Sequence, residues 1–319
     1  MKAAVRTKYG PPEVLSIEEV DMPTPGEKDL LIKVHATTVN RSDYHVLTGK
    51  PLFMRMFTGL VKPRLASTGC DFAGTVEQVG KSVSSFKIGE RVMGFGGVNG
   101  IGSHAQYVTI AENAGVVPMP EPFTFQQAAA CLEGAFYAAI PILHLRPRKG
   151  QKALVYGATG AIGSSFVQFL SYYDVYTTAV CNTKDFELVK SLGANKFIDF
   201  KKEDFTKDKE RYDFVFDAVG KHSFYECKVL LKEEGIYLWS NGLINLIPTL
   251  ISPLLGGKKA LLVPPNNVKL GLLFIRELIE KGKFRPVIDR VYPLEKITEA
   301  YNYVATGEKI GNVILSIEH

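Results

Sequence analysis

Two hydrophobic rhythms divide the chain near residue 122. In the first 120 residues the apolar positions fall in short runs: "AVRTKY", "LSIEEVDM", "DLLIKVHATTVN", "FAGTVEQVG", "RVMGFGG" and "SHAQYVTI". These runs are rich in β-branched or aromatic residues and are separated by Gly, Pro and Ser. They predict strands, and their number and irregular spacing predict an irregular antiparallel barrel. The proline pairs in "PPE", "PTPGE" and "PMPEP" punctuate its connections, and the last of them reads as a domain boundary.

Beyond that boundary the period changes. Thr124, followed three residues later by Gln127, forms a capping-box pattern that predicts one long apolar helix, "FQQAAACLEGAFYAAIPIL". Strands and helices then alternate. "KALVYGA", "VYTTAV", "KFIDF", "YDFVFDAVG" and "GIYLWS" are expected as strands, and "AIGSSFVQFLSYY", "KDFELVKSLGA" and "SFYECKVLLKEE" as helices. Continuous apolar strands between helices predict a doubly wound parallel sheet covered on both faces, an α/β nucleotide-binding domain over residues 123–265. "NVKLGLLFIRELIEKGKF" is an amphipathic helix, and "ITEAYNYVATG" with "GNVILSI" predicts a helix and strand that return to complete the barrel. The barrel domain is therefore expected from residues 1–122 plus 266–319.

One stretch fits neither rhythm. Residues 236–257, "IYLWSNGLINLIPTLISPLLGG", carry no charge over a length that would cross a bilayer, but Pro248, Pro253, three glycines and two asparagines break a helix of that length. A strand leading into an apolar loop or short helix is expected. It would line a pocket for an apolar acceptor or touch a membrane surface without spanning it.

Composition adds bounds. With 319 residues, two domains are expected, and 46% hydrophobic with 22% charged residues is ordinary for a globular chain. The net charge of +5 is spread among acidic residues rather than gathered in one block, which argues against a nucleic-acid partner. Cys70, Cys131, Cys181 and Cys227 lie far apart without a CxxC, so reduced thiols in the cytoplasm are expected. The opening "MKAAVRTKYGPPEV" lacks the apolar core of a signal peptide.

The chemistry starts at "ALVYGATGAIGSSFVQF". Gly157, Gly160 and Gly163 sit at GxxGxxG spacing where a predicted strand turns into a predicted helix, together with Thr159, Ala161 and Ile162. A tight turn alone would use the same glycines. The strand before and the helix after supply the context for a pyrophosphate, which the helix N–H groups and dipole would face. At the end of the next strand, NAD enzymes usually place a carboxylate for the ribose 2′-OH. Here stand Cys181, Asn182, Thr183 and Lys184, which suit a 2′-phosphate and so NADPH. The counter-reading makes Lys184 a solvated helix start and Asp185 the partner of NADH.

Taken end to end, the chain resembles the medium-chain dehydrogenase/reductase superfamily, and within it the zinc-lacking quinone oxidoreductase branch. The resemblance is carried by "GPPEVLSIEEVDMPTPGEKDLLIKVHATTVNRSD", "GCDFAGTVEQVG", "FKIGERVMG", "GATGAIG", "VKSLGANKFIDF", "YDFVFDAVG" and "GKFRPVIDRVYPLEKITEAYNYVATGEKIGNVIL". It implies a GroES-like barrel as catalytic domain, a Rossmann nucleotide domain and a homodimer. In zinc-dependent relatives a Cys, a His and a second Cys or acidic residue hold the metal. The first two positions match Asn40 and Cys70, and the third falls near Leu132 and Glu133. The four-cysteine lobe for a structural zinc has no counterpart. One thiolate beside an amide is not a zinc site, so no metal is expected.

Without a Lewis acid, an unactivated alcohol is a poor hydride donor, whereas a quinone or an α,β-unsaturated carbonyl accepts hydride and spreads the charge onto oxygen. Asn40 is then a candidate donor near the nicotinamide ribose or the acceptor oxygen, or else a turn asparagine bonding its own backbone. By resemblance Asp43 organises the site. Tyr44 and His45 are candidate proton donors, with packing the alternative for each. Phe200 stands where related chains often carry Tyr beside the adenosine phosphate, and Val219, Gly220 and Asn312 match positions along the nicotinamide. The expected function is NADPH-dependent reduction of quinones or enones. A 2-enoyl-thioester reductase and an NADPH-binding redox sensor or partner protein with little turnover are the alternatives.

Overall fold

A computed structural model describes residues 1–97, 101–240 and 243–319. The described chain divides into two compact units, Met1–Phe136 with Asn267–His319, and Tyr137–Asn266.

The first unit contains β1 (Lys2–Val5), β2 (Ser16–Glu19), β3 (Asp29–Val39), α1 (Arg41–Thr48), α2 (Met54–Thr58), β4 (Asp71–Val79), β5 (Arg91–Phe95), β6 (Tyr107–Ala111), β7 (Val116–Pro118), α3 (Phe125–Ala129) and the first turn of α4 (Glu133–Leu145). The second contains the rest of α4, then β8 (Lys152–Tyr156), α5 (Ala161–Tyr172), β9 (Tyr176–Cys181), α6 (Phe186–Ser191), β10 (Lys196–Asp199), β11 (Tyr212–Asp217), α7 (Phe224–Cys227), β12 (Leu231–Trp239), α8 (Leu246–Leu255) and β13 (Lys259–Leu261). The chain returns to the first unit as α9 (Val268–Glu280), β14 (Ile288–Pro293), α10 (Ile297–Thr306) and β15 (Asn312–Ser316).

In the first unit the long strand β3 is central. It pairs antiparallel with β4, β6 and β15, so the C-terminal strand completes the N-terminal sheet as its pattern predicts. Alternate apolar residues of β3 (Leu30, Ile32 and Val34) join Phe72, Leu47, Tyr301 and Leu315 in a closed core. The pairing of Val313 with Val39 has a functional consequence. It sets Asn312, at the start of β15, close to Asn40, where β3 ends.

The second unit is the doubly wound sheet, all parallel, in the order β10-β9-β8-β11-β12-β13. The strand order reverses between β8 and β11, and Tyr156 and Asp217 stand side by side at their C-terminal ends. In such sheets ligands bind at this switch point.

Three elements differ from their sequence patterns. The expected long helix is two, because residues 130–132 form tight turns: Cys131 N–H bonds to Ala128 O and Leu132 N–H to Ala129 O. The Ala130 carbonyl is instead taken at 3.0 Å by the Asn312 amide. The capping box itself forms, with Gln127 N–H bonded to Thr124 Oγ1 at 3.2 Å and Thr124 N–H to Gln127 Oε1 at 2.9 Å. "SFYECKVLLKEE" is helical only through Leu230, after which it enters β12, since the buried side chains of the sheet outweigh its helix propensity. Residues 236–257 are the end of β12 followed by α8, with Asn241 and Gly242 outside the described residues. Among the described residues no helix is long and apolar enough to cross a membrane.

Candidate functional site

At the end of β8 the backbone turns through Gly157, with φ +76°, and enters α5 at Gly160, whose position no side chain caps. A Cβ placed on Gly163 would lie 2.1 Å from Gly157 O, so only glycine lets helix and turn approach this closely. Thr159, Ala161 and Ile162 complete the turn. The result is a side-chain-free cradle at the N-terminus of a twelve-residue helix, the geometry a pyrophosphate requires. Val219 packs its methyl against the α-carbon of Gly157. Asp217 fixes that neighbouring turn, accepting from the N–H groups of Val219 at 3.0 Å, Gly220 at 2.7 Å and His222 at 2.9 Å.

The end of β9 places Cys181, Asn182, Thr183 and Lys184 in sequence along the sheet edge. Cys181 is buried, and desolvation pushes its thiol up to about 12. Thr183 donates its N–H at 3.1 Å and its hydroxyl to Asp199 at the end of β10. Lys201 N–H also bonds to Asp199, and together these donors hold its carboxyl below the usual range. Asp185 is buried, and its carboxyl is raised by desolvation in spite of Lys184 and Lys201 nearby. Both carboxylates are therefore spent inward while two lysines flank the strand ends. Phe200 is exposed and meets Tyr156 edge to face at 6.2 Å. Lys201 and Asp217 escaped the sequence reading. The "DAVG" turn contained Asp217, but nothing in a linear pattern shows three N–H groups converging on it.

In the first unit, β3 ends at Asn40, which caps α1. Asn40 N–H bonds to Asp43 Oδ2 at 2.8 Å, and Asn40 Nδ2 donates to Thr38 Oγ1 at 2.9 Å and to Asn312 Oδ1 at 3.3 Å. Asn312 is itself held by the carbonyls of Ala130 and Val287. Asp71, opening β4, accepts from Thr38 N–H at 2.8 Å, Thr38 Oγ1 at 2.7 Å and Thr37 Oγ1 at 3.1 Å. The hydroxyl of Ser42 donates to Glu133 Oε1. The Cys70 thiol lies against Asp43, and Lys309 faces Glu133 and Asp43.

Three buried carboxyls thus share one pocket of the core, and hydrogen-bond accounting separates them. Asp71 takes three donors and is the natural bearer of charge, although burial still raises it to about 6. Among the described residues Asp43 Oδ1, Glu133 Oε2 and Asn40 Oδ1 are buried without a hydrogen-bond partner. A proton on a carboxyl turns an orphaned acceptor into a donor. Burial, and then Asp71, pushes Asp43 up to about 7. Burial, and then Asp43 and Asp71, pushes Glu133 well above the carboxylate range. Burial brings Lys309 down to about 8, with Glu133 opposing. Within the cluster Asp71 is the group best placed to carry charge and Glu133 the one pushed towards its protonated form, next to the partly exposed Ser42 hydroxyl.

Of the residues expected in catalysis, the structure brings Asn40 and Asp43 together. Tyr44 packs on the core and His45 lies beside the Lys50 backbone, their ring centroids 6.4 Å apart on the flank of α1. Burial lowers His45, so its ring is neutral at physiological pH. Asp71, Ser42 and Lys309 were missed by sequence reasoning. Glu133 entered it only as a neighbour of a metal position, although a signal existed: it is the only acidic residue between Pro122 and Asp174.

Zinc can be tested on this donor set. Asn40 offers an amide, Asp71 is already engaged by Thr38, and the Cys70 thiol is the single soft donor between them. Among the described residues no group of three or more His, Cys, Asp or Glu side chains is placed to hold a metal ion. These residues do not fit zinc.

Residues 26–121 match the family described as "Alcohol dehydrogenase GroES-like domain", and residues 192–315 match "Zinc-binding dehydrogenase". The 2-methylene-furan-3-one reductase of Solanum lycopersicum is 31% identical over 99% of this chain and 79% of its own. The quinone oxidoreductase of Mus musculus is 29% identical over 99% of this chain and 97% of its own. Among solved structures, the quinone oxidoreductase from Coxiella burnetii superposes with a TM-score of 0.87 at 25% identity, covering 100% of this chain and 99% of that one. With a barrel completed by its C-terminal strand, a glycine cradle at the switch of a parallel sheet, and these relatives along its whole length, the chain belongs to the medium-chain dehydrogenase/reductase superfamily, in its quinone oxidoreductase-like branch.

Proposed function

We propose that this protein is a zinc-independent, NADPH-dependent reductase of quinones or α,β-unsaturated carbonyls. The observation that carries the reading is the donor set around Asn40. Where zinc-dependent relatives need three ligands, this chain has an amide at Asn40, a thiol lying against Asp43 and a Glu133 carboxyl that accepts from Ser42. Such a site serves an acceptor that is already electron-poor. NADPH, when bound, supplies the hydride. The glycine cradle and the α5 N-terminus bind its pyrophosphate, and Asn182, Thr183 and Lys184, with Lys201 near them, take the 2′-phosphate. Val219 and Gly220, beside the cradle, take the nicotinamide side of the cofactor, and Phe200 packs by the adenosine. Asn40, oriented by Thr38 and Asn312, aligns the acceptor or the ribose, and Asp43 holds Asn40. Glu133 keeps a proton next to Ser42 for the reduced oxygen. The uncharged, exposed side chains of α8, among them Leu250, Leu254 and Leu255, suit an apolar acceptor.

Three finer points belong to the same reading. The four cysteines are free and buried, which fits the reducing cytoplasm and, since burial suppresses their thiolates, disfavours a cysteine redox sensor. Among the described residues β13 pairs only with β12, leaving an edge through which a second copy would form the homodimer. Tyr44 and His45 are assigned to shaping α1 rather than to proton transfer.

The test is NADPH oxidation, followed by absorbance, against quinones, enones and an enoyl thioester, with NADH alongside and a chelator present. Turnover with quinones or enones that survives chelation supports the reading. Preference for the thioester would make the protein an enoyl reductase, and binding without turnover on any acceptor would make it a partner protein. Lys184→Glu is expected to raise the KM for NADPH about 10- to 100-fold, the worth of one charge-assisted hydrogen bond, while leaving the KM for NADH within a few-fold. Equal effects on both cofactors would place Lys184 away from the 2′-phosphate.

A further inference from the structure

From Tyr44 to Cys70 the sequence contains no acidic residue, whereas Lys50, Arg55, Lys62 and Arg64 alternate with large apolar side chains. The fold makes this stretch a protrusion around α2. Leu52 is 70% exposed, Met56 66%, Phe57 50%, Leu60 70% and Val61 89%. The protrusion is anchored from beneath. Tyr9 bonds through its hydroxyl to Thr58 Oγ1 at 2.8 Å and to Gly59 O at 2.6 Å, and the Arg55 guanidinium lies 4.7 Å over the Tyr9 ring. Gly59, at φ +125°, closes the turn that presents Leu60 and Val61, and a Cβ there would lie 2.1 Å from Lys62 O. The apolar side chains are therefore held outward by a fixed turn.

A patch of this kind on a folded chain marks a contact surface, and its charge selects the occupant. A second copy docked through the same patch would bring like charges face to face, because a two-fold interface meets itself. The apolar face of α8 provides a contrast within the molecule: no cation is interleaved between Leu243 and Gly257, and of the two lysines that follow, Lys259 is paired with Glu234 at 3.7 Å. Around α2, cations and apolar tips are interleaved, as at a lipid interface, where alkyl and aromatic groups enter below the headgroups and Lys and Arg remain at phosphate level. We propose that the α2 protrusion docks the protein on an anionic lipid bilayer. This surface is independent of the reductase reading.

The experiment is co-sedimentation of the full chain with phosphatidylcholine vesicles, with and without phosphatidylglycerol, at low and high salt. Binding is expected only with phosphatidylglycerol and is expected to weaken as salt rises. Lys62→Gln and Arg64→Gln should each lower the partition coefficient about fivefold, the equivalent of about 1 kcal/mol per cation near an anionic surface. Phe57→Glu with Val61→Glu should abolish binding. These side chains are exposed, so the melting temperature should hold in every variant. Leu254→Glu on α8 should bind as the parent does. The proposal is overturned if the parent protein stays in the supernatant with both vesicle types, or if it binds neutral vesicles equally and regardless of salt. It is also overturned if the α2 variants bind like the parent, or if they dissociate a dimer in sedimentation velocity while vesicle binding persists.

Discussion

Asp71→Ala is expected to destabilise the protein by about 3–5 kcal/mol, because it leaves the buried Thr38 N–H and the Thr38 hydroxyl without their acceptor, although the Thr37 hydroxyl keeps the Asp71 carbonyl at 2.7 Å. The Thr38 N–H suffers most. It points into a closed core, where an unpaired donor costs about 1–3 kcal/mol by itself. Asp71→Asn keeps the shape and one carbonyl acceptor, and should cost less than half as much. Urea denaturation checks both, with an unchanged slope identifying a true stability change. A loss below about 1 kcal/mol for the alanine variant would mean that the threonines find other partners and that Asp71 does not anchor this corner. The removal also reaches the chemistry. The charge of Asp71 helps to raise both Asp43 and Glu133, so in the asparagine variant both carboxyls should titrate lower.

How much of this was legible in the sequence depends on whether a feature is local. The glycine turn, the capping box at Thr124 and the strand β15 that rejoins the first sheet all announce themselves through spacing and period, and all are present. The Asn40 cap of α1 carried a similar local signature, an acidic residue three positions on, but the sequence pointed to Asn40 as a cleft or turn residue and not to a helix start. The break between α3 and α4 was not legible. It depends on the amide of Asn312, 182 residues away, taking the Ala130 carbonyl. The acid cluster was hidden for the same reason: Asp43, Asp71 and Glu133 come from α1, β4 and α4, and only the closed fold gives them a common burial. Tyr44 and His45 show the limit of adjacency: Tyr44 packs on the core and His45 lies beside the Lys50 backbone. Next to Asp43 in sequence, they leave α1 at other angles than Asp43 does, since consecutive residues on a helix do not face each other.

Glu133→Gln should flatten the pH dependence of stability above neutrality. Glu133 is raised in the folded state, so between its unfolded value of 4.5 and its folded one the native protein holds a proton that the unfolded chain has released. Its contribution is complete below the unfolded value and is lost as pH rises, at up to about 1.4 kcal/mol per pH unit. Asp43 acts in the same direction up to about 7. His35 and His104, brought down to about 4 by burial, act the other way, but their contribution is complete by the unfolded value of 6.5. Lys309, brought down to about 8, begins to add stability only above that pH. Above about 6.5 the histidines no longer contribute and below about 8 Lys309 does not yet, so a fall in stability there comes from the raised carboxyls. The parent protein should lose stability across that range, and Glu133→Gln, which imitates the protonated form with an amide donor and a carbonyl acceptor, should lose less. If Glu133 also supplies the proton for the reduced oxygen, the same variant should bind NADPH normally yet turn over about a hundredfold more slowly, the usual worth of a positioned acid. A flattened curve with undiminished turnover would leave the buried proton in place and move the proton donor elsewhere, whereas parallel curves for the two proteins would mean that Glu133 is ionised in the native state.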